Sequence, residues 1–132
     1  MNIQGFRVEK SDVIPAGDYA LQEWFCADAG CDCRRVLLKV HPRQRPNDVL
    51  ATICFGWETL EFYTRFLDGD ATAAKAIKGG CLDPAVRQSS IAALLLQLTR
   101  REFLCDPNYA ALLAEHYQEF RARERGDKSG LQ

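Results

Sequence analysis

The chain has 132 residues, 47% of them hydrophobic and 27% charged, which suits one compact core and excludes a disordered or fibrous chain. Seventeen basic against eighteen acidic side chains leave a formal charge of -1, so no net field draws the chain to nucleic acid, and no nucleic-acid partner is expected. Met1 to Arg7 hold no basic segment leading into an apolar one, and no run of about 18 apolar residues occurs, so neither export nor membrane insertion is expected and a cytoplasmic location is.

The opening stretch is irregular, with room for a short strand around Phe6 to Val8, and Pro15-Ala16-Gly17-Asp18 reads as a turn. Tyr19 to Cys26 and Arg34 to Val40 follow as antiparallel neighbours, because the short connection through Ala27-Asp28-Ala29-Gly30 reads as a hairpin loop. After a turn over His41 to Asp48, Val49 to Trp57 is rich in β-formers and completes a three-stranded antiparallel meander.

The remainder reads as about four helices. Trp57, Leu60, Tyr63, Phe66 and Leu67 recur at helical spacing, which predicts a helix over Glu58 to Leu67 that ends at Asp68-Gly69-Asp70. Asp70 is placed to cap a second helix, Ala71 to Lys78, and Gly79-Gly80 to close it. Asp83-Pro84 and Asp106-Pro107 each put a capping carboxylate before a proline, predicting helices from Pro84 to about Leu104 and from Pro107 to about Arg123. The first would bury Ile91, Leu94, Leu95 and Leu98; the second would present Tyr109, Leu112, Leu113, His116, Tyr117 and Phe120 on one side. The expected organisation is a single α+β domain over 1–123 and a polar tail over 124–132.

Six cysteines divide into a cluster and a scattered set. Cys54, Cys81 and Cys105 are scattered and read mainly as small buried hydrophobes. Cys26, Cys31 and Cys33 stand as C-x4-C-x-C, three thiols in one loop, and in a reducing compartment such a cluster points to a metal, most naturally one zinc ion. Zinc takes four ligands at about 2.0–2.3 Å, so a chain supplying several must double back, as a hairpin tip does. Cys26 and Cys33 are expected to face each other across the hairpin, with Cys31 between them, Gly30 easing the turn, and Arg34 and Arg35 offsetting thiolate charge. His116, on the apolar stripe of the last helix, is taken as the fourth ligand. Cys54 is an alternative, because pairing Leu38 with Ala51 sets it on the sheet face of Cys26 and Cys33; His41, Cys105, Cys81 and water are the others.

The segments Tyr19 to Cys26 and Cys31-Asp32-Cys33-Arg34-Arg35-Val36, with Leu50 to Ile53, Gly56-Trp57, Leu82-Asp83-Pro84 and His116-Tyr117, resemble a family of uncharacterised bacterial proteins that carry this cysteine hairpin. Relatives of that family often bear a C-terminal SEC-C zinc motif associated with partner proteins. No cysteine follows Cys105 here, so the resemblance lends this chain no role through that motif, and the family offers no reaction to carry across.

The sequence therefore favours a zinc-binding domain with a structural metal, acting as a protein-interaction or adaptor module whose partner is another protein. A thiol- or zinc-dependent enzyme is the alternative from a different class. It finds less in the sequence, which has no phosphate-cradling glycine loop, no H-E-x-x-H and no Ser/His/Asp signature. A metal-free interaction domain with packed cysteines is the third.

Overall fold

The structure is a computed structural model that describes residues 4–9 and 11–130. Its sheet has five antiparallel strands in the order β1-β2-β3-β4-β5: Gly5–Val8, Gly17–Phe25, Arg35–Pro42, Ala51–Gly56 and Cys81–Leu82. The helices are α1 (Leu60–Phe66), α2 (Ala71–Gly79), α3 (Ala92–Thr99), which runs on as a π-helical turn over Arg100–Leu104, and α4 (Pro107–Gly130). No helix among the described residues is long and apolar enough to cross a membrane.

A mixed α+β architecture is thus present, but the three-stranded meander is corrected to five strands. The central three strands lie where the β-formers put them, and an added strand flanks each side. β5 holds only two residues, Cys81 and Leu82, which pair with Cys54 and Ile53. A ladder this short leaves no periodic signal in the sequence.

Side-chain alternation divides the sheet between two helical layers. Leu21, Val36, Leu38, Val40, Ala51, Ile53 and Phe55 point into the main core against Ala92, Leu95 and Leu96 of α3 and Tyr109 and Leu113 of α4. Leu38, Val40, Ile53, Leu95 and Leu113 are fully shielded from solvent, and each such side chain contributes ~1.5–3 kcal/mol by leaving water. On the other face, Tyr63 of α1 and Ala74 and Ile77 of α2 form a smaller core with Cys54. Two covered faces explain why β4 is buried along its length rather than at alternate residues.

Capping follows the sequence at Asp70 and Asp106 and departs from it at Asp83. Asp70 accepts a hydrogen bond from the Ala73 N–H at 3.0 Å, and Asp106 accepts one from the Asn108 N–H at 2.9 Å. Thr59 caps α1 through the Phe62 N–H at 3.1 Å. Asp83 instead holds the Ala85 N–H at 3.0 Å in a local turn, and α3 begins only at Ala92. The reason is Gln88. Its side-chain amide accepts from the Thr52 N–H and donates to the Thr52 and Asp83 carbonyls, each at 3.0 Å, standing in for a strand partner beside β4. That role keeps the segment before α3 out of the helix, in turns and irregular backbone, and β5 stops where the glutamine takes over. At the C-terminus α4 continues past Arg123 to Gly130; Leu131 and Gln132 of the expected polar tail lie outside the described residues.

Candidate metal centre

Cys26 follows the last residue of β2, and Cys31 and Cys33 lie in the irregular segment before β3. Their three sulfurs all lie within 4.8 Å of one another. Cys33 is buried at 3% exposure, while Cys26 and Cys31 are half-buried. The strand ladder ends at the Phe25–Val36 pair, so Cys26 and Cys33 meet through the fold of the loop rather than across paired strands.

Side chains from three elements hold that loop. Within it, the Asp28 carboxylate accepts the Gly30 N–H at 3.0 Å and the Asp28 carbonyl accepts the Cys31 N–H at 3.0 Å, which turns the chain back. From α4, Arg121 donates to the carbonyls of Asp28 at 2.8 Å and Ala29 at 3.2 Å, and the Tyr117 hydroxyl donates to Asp32 at 2.9 Å. From α1, the Tyr63 hydroxyl donates to the Arg34 carbonyl and accepts the Glu58 N–H at 3.1 Å. Tyr63 lies directly on Gly56, where any Cβ would run into its ring. The Gly-Trp pair after β4 is thereby explained: Gly56 admits Tyr63, and Trp57 packs on Tyr117 with ring centroids 5.3 Å apart.

Arg34 closes the loop with φ at 48°, a left-handed conformation costly for a residue with a side chain. Its guanidinium is paired with Asp32 at 2.9 Å and with Glu58, and it lies over the Phe62 ring 4.8 Å from the centroid. Hydrogen bonds from Arg34 hold the Asp32 carboxyl below its ordinary range against the opposing effect of burial. The two arginines therefore differ, contrary to their shared expected role. Arg34 spends its charge on carboxylates, whereas Arg35 stays charged although burial opposes it, held by the neighbouring thiols of Cys33, Cys54 and Cys31.

Without a cation the Cys31 thiol resists ionisation. Burial pushes the Cys31 thiol up to about 11, and its contacts with Cys33 and Cys26 push in the same direction. A divalent cation reverses this by displacing protons from the thiols it binds. Tetrahedral bonds of about 2.3 Å separate thiolate sulfurs by about 3.8 Å, so modest side-chain rotation would bring the triad to bonding distance. The donor set fits a thiophilic ion such as zinc.

His116 is not among the three clustered ligands. Its Nδ1 is 2.7 Å from the Glu23 carboxylate, tying α4 to β2 instead. His41 is buried with its Nδ1 2.7 Å from the Pro42 carbonyl, and Cys105 is exposed with its thiol donating to the Arg101 carbonyl. Cys54 and Cys81 pair with each other across β4 and β5. The register places Ala51 opposite Val40 rather than Leu38, a shift of two that keeps Cys54 on the face foreseen for it. Cys26, Cys33, Arg35, Cys54 and Cys81 all line one cleft of about 660 Å³. No sequence pattern signals the Cys54–Cys81 pairing, because its two halves lie on strands joined through two helices.

Comparison of the chain with known protein families, with curated proteins and with solved structures finds no match.

Proposed function

We propose that this chain is a small zinc-binding domain in which one ion, held by Cys26, Cys31 and Cys33, fixes the β2–β3 loop against α1 and α4. The single observation that carries the reading is the convergence of three sulfurs within 4.8 Å in a loop pinned from both sides. The metal is structural in this reading, and water or a donor from a partner protein completes the tetrahedron. Trp24, at 50% exposure on β2 with the Lys39 ammonium 3.9 Å from its ring centroid, offers an apolar contact for such a partner.

Elemental analysis of the purified chain should give about one zinc per molecule, and chelation should lower the melting temperature sharply, since structural zinc contributes on the order of 10 kcal/mol in small domains. Uptake should release protons and weaken as pH falls, because the Cys31 thiol, pushed up by burial, is protonated before binding and must give up its proton to the metal. A metal-free chain that melts identically with and without chelator contradicts the reading.

One observation favours a zinc enzyme as the second reading: three protein ligands beside an open cleft are the arrangement of catalytic rather than closed structural sites. Cobalt substitution separates the two. Absorption bands that shift on adding a small thiol or anion support an exchangeable fourth position, and bands that stay fixed support a closed site.

A further inference from the structure

The cleft that reaches Cys26 and Cys33 is also lined by Cys54 and Cys81, half-buried thiols that no metal reading requires. They are direct cross-strand partners. The Asp83 N–H donates to the Thr52 carbonyl at 2.9 Å, which fixes the phase of this short ladder and makes Cys54–Cys81 a hydrogen-bonded pair. Such pairs have Cα atoms about 5.5 Å apart, within the range that disulfides span. Basic groups stand close by. Arg35 shares the cleft, and Arg100 donates to the Gly80 carbonyl, next to Cys81, at 3.2 Å.

We propose that Cys54 and Cys81 are a peroxide-reactive dithiol that closes to a cross-strand disulfide, a redox site separate from the metal-binding triad. The cleft supplies the access that a packed core pair lacks. Placement and charge favour Cys81 as the attacking sulfur, since Arg100 is anchored on the residue next to it. A hydrogen bond from the Cys54 thiol brings Cys81 down to about 7 against the opposing effect of burial, with Arg100 and Arg35 assisting and Asp83 opposing. Cys54 is pushed up, first by the same hydrogen bond and then by burial, so it stays a thiol.

The chemistry balances with hydrogen peroxide as oxidant. The Cys81 thiolate attacks one peroxide oxygen, the O–O bond breaks, and hydroxide leaves to be protonated by solvent, giving a sulfenic acid. The Cys54 sulfur then attacks Cys81, the S–S bond forms as the S–O bond breaks, and water leaves with the Cys54 proton. The two sulfurs lose two electrons in total and one peroxide becomes two waters.

The test uses the reduced full-length chain with zinc present, treated at neutral pH with less than one equivalent of hydrogen peroxide, alkylated, and mapped by mass spectrometry without reduction. The expected first product is a Cys54–Cys81 linked peptide, formed roughly ten-fold faster than any oxidation of the more exposed Cys105. Cys54→Ser should leave a sulfenic acid on Cys81 that dimedone traps, and Cys81→Ser should slow peroxide consumption by about ten-fold. Oxidation of Cys105 or of the triad ahead of this pair overturns the proposal, and the wild-type map decides this even if a variant misfolds. Metal content measured on the same sample keeps the two ideas apart. A chain that takes up no zinc yet links Cys54 to Cys81 contradicts the metal reading alone, and a zinc-loaded chain whose pair stays reduced contradicts this one alone.

Discussion

Cys54 and Cys81 are held by a strand ladder, whereas Cys26, Cys31 and Cys33 sit on an irregular loop that side chains from α1 and α4 pin in place. Cys26 and Cys33 line the same cleft as Cys54 and Cys81, yet the two groups differ in what fixes the sulfurs. In the ladder, backbone hydrogen bonds set one thiol against one other, and the geometry admits a single bond between two sulfurs. In the loop, Asp28, Asp32 and Arg34 turn the chain until three thiols converge, and convergence without strand pairing is what a cation needs. On the two proposals above, the same residue type serves two chemistries according to the backbone that carries it. Charge sharpens the contrast, since Arg34 is committed to Asp32 and Glu58 and only Arg35 stands free to serve the sulfurs of both groups.

The largest difference should emerge on replacing one thiol from each group. Cys33→Ser should abolish stoichiometric zinc binding and cost several kcal/mol of stability, because a three-sulfur site loses its most buried member. Cys81→Ser should leave zinc content unchanged and cost about 1 kcal/mol, the ordinary effect of a mild change at a half-buried position. Parallel melts and metal analyses check both. Equal losses of stability and of zinc would dissolve the distinction between the groups.

A smaller effect is expected at Tyr63, which touches the loop but not the metal. Tyr63→Phe removes the hydroxyl that donates to the Arg34 carbonyl and leaves that strained residue without one of its anchors. A cost of about 1–2 kcal/mol is expected, with weaker zinc affinity and unchanged Cys54–Cys81 oxidation. Zinc titrations and peroxide mapping on the same variant read the two responses separately.

Much of the frame was legible in the sequence because local rules act there without competition. β2, β3 and β4 announced themselves through β-branched and apolar runs, and Asp70, Asp106 and Gly79-Gly80 marked helix ends through capping chemistry that depends on near neighbours. The triad was legible for the same reason, since its thiols lie within one loop. What escaped depended on distant partners. Asp83-Pro84 has the form of a helix start, but Gln88 finds better partners on Thr52 and delays α3. His116 has the look of a ligand on an apolar stripe, but it lies outside the sulfur cluster and its Nδ1 sits 2.7 Å from the Glu23 carboxylate. Arg34 and Arg35 are adjacent and alike in sequence, and only the placement of Glu58 and Phe62 on one side and Phe66 on the other separates their roles.

X-ray absorption at the zinc edge on the full-length, zinc-loaded chain tests the central claim most directly, because it counts the sulfurs around the ion. Three sulfur neighbours at about 2.3 Å and one lighter donor are expected, with the sulfur count falling in Cys33→Ser. A spectrum without sulfur neighbours, or one unchanged in Cys33→Ser, would contradict it.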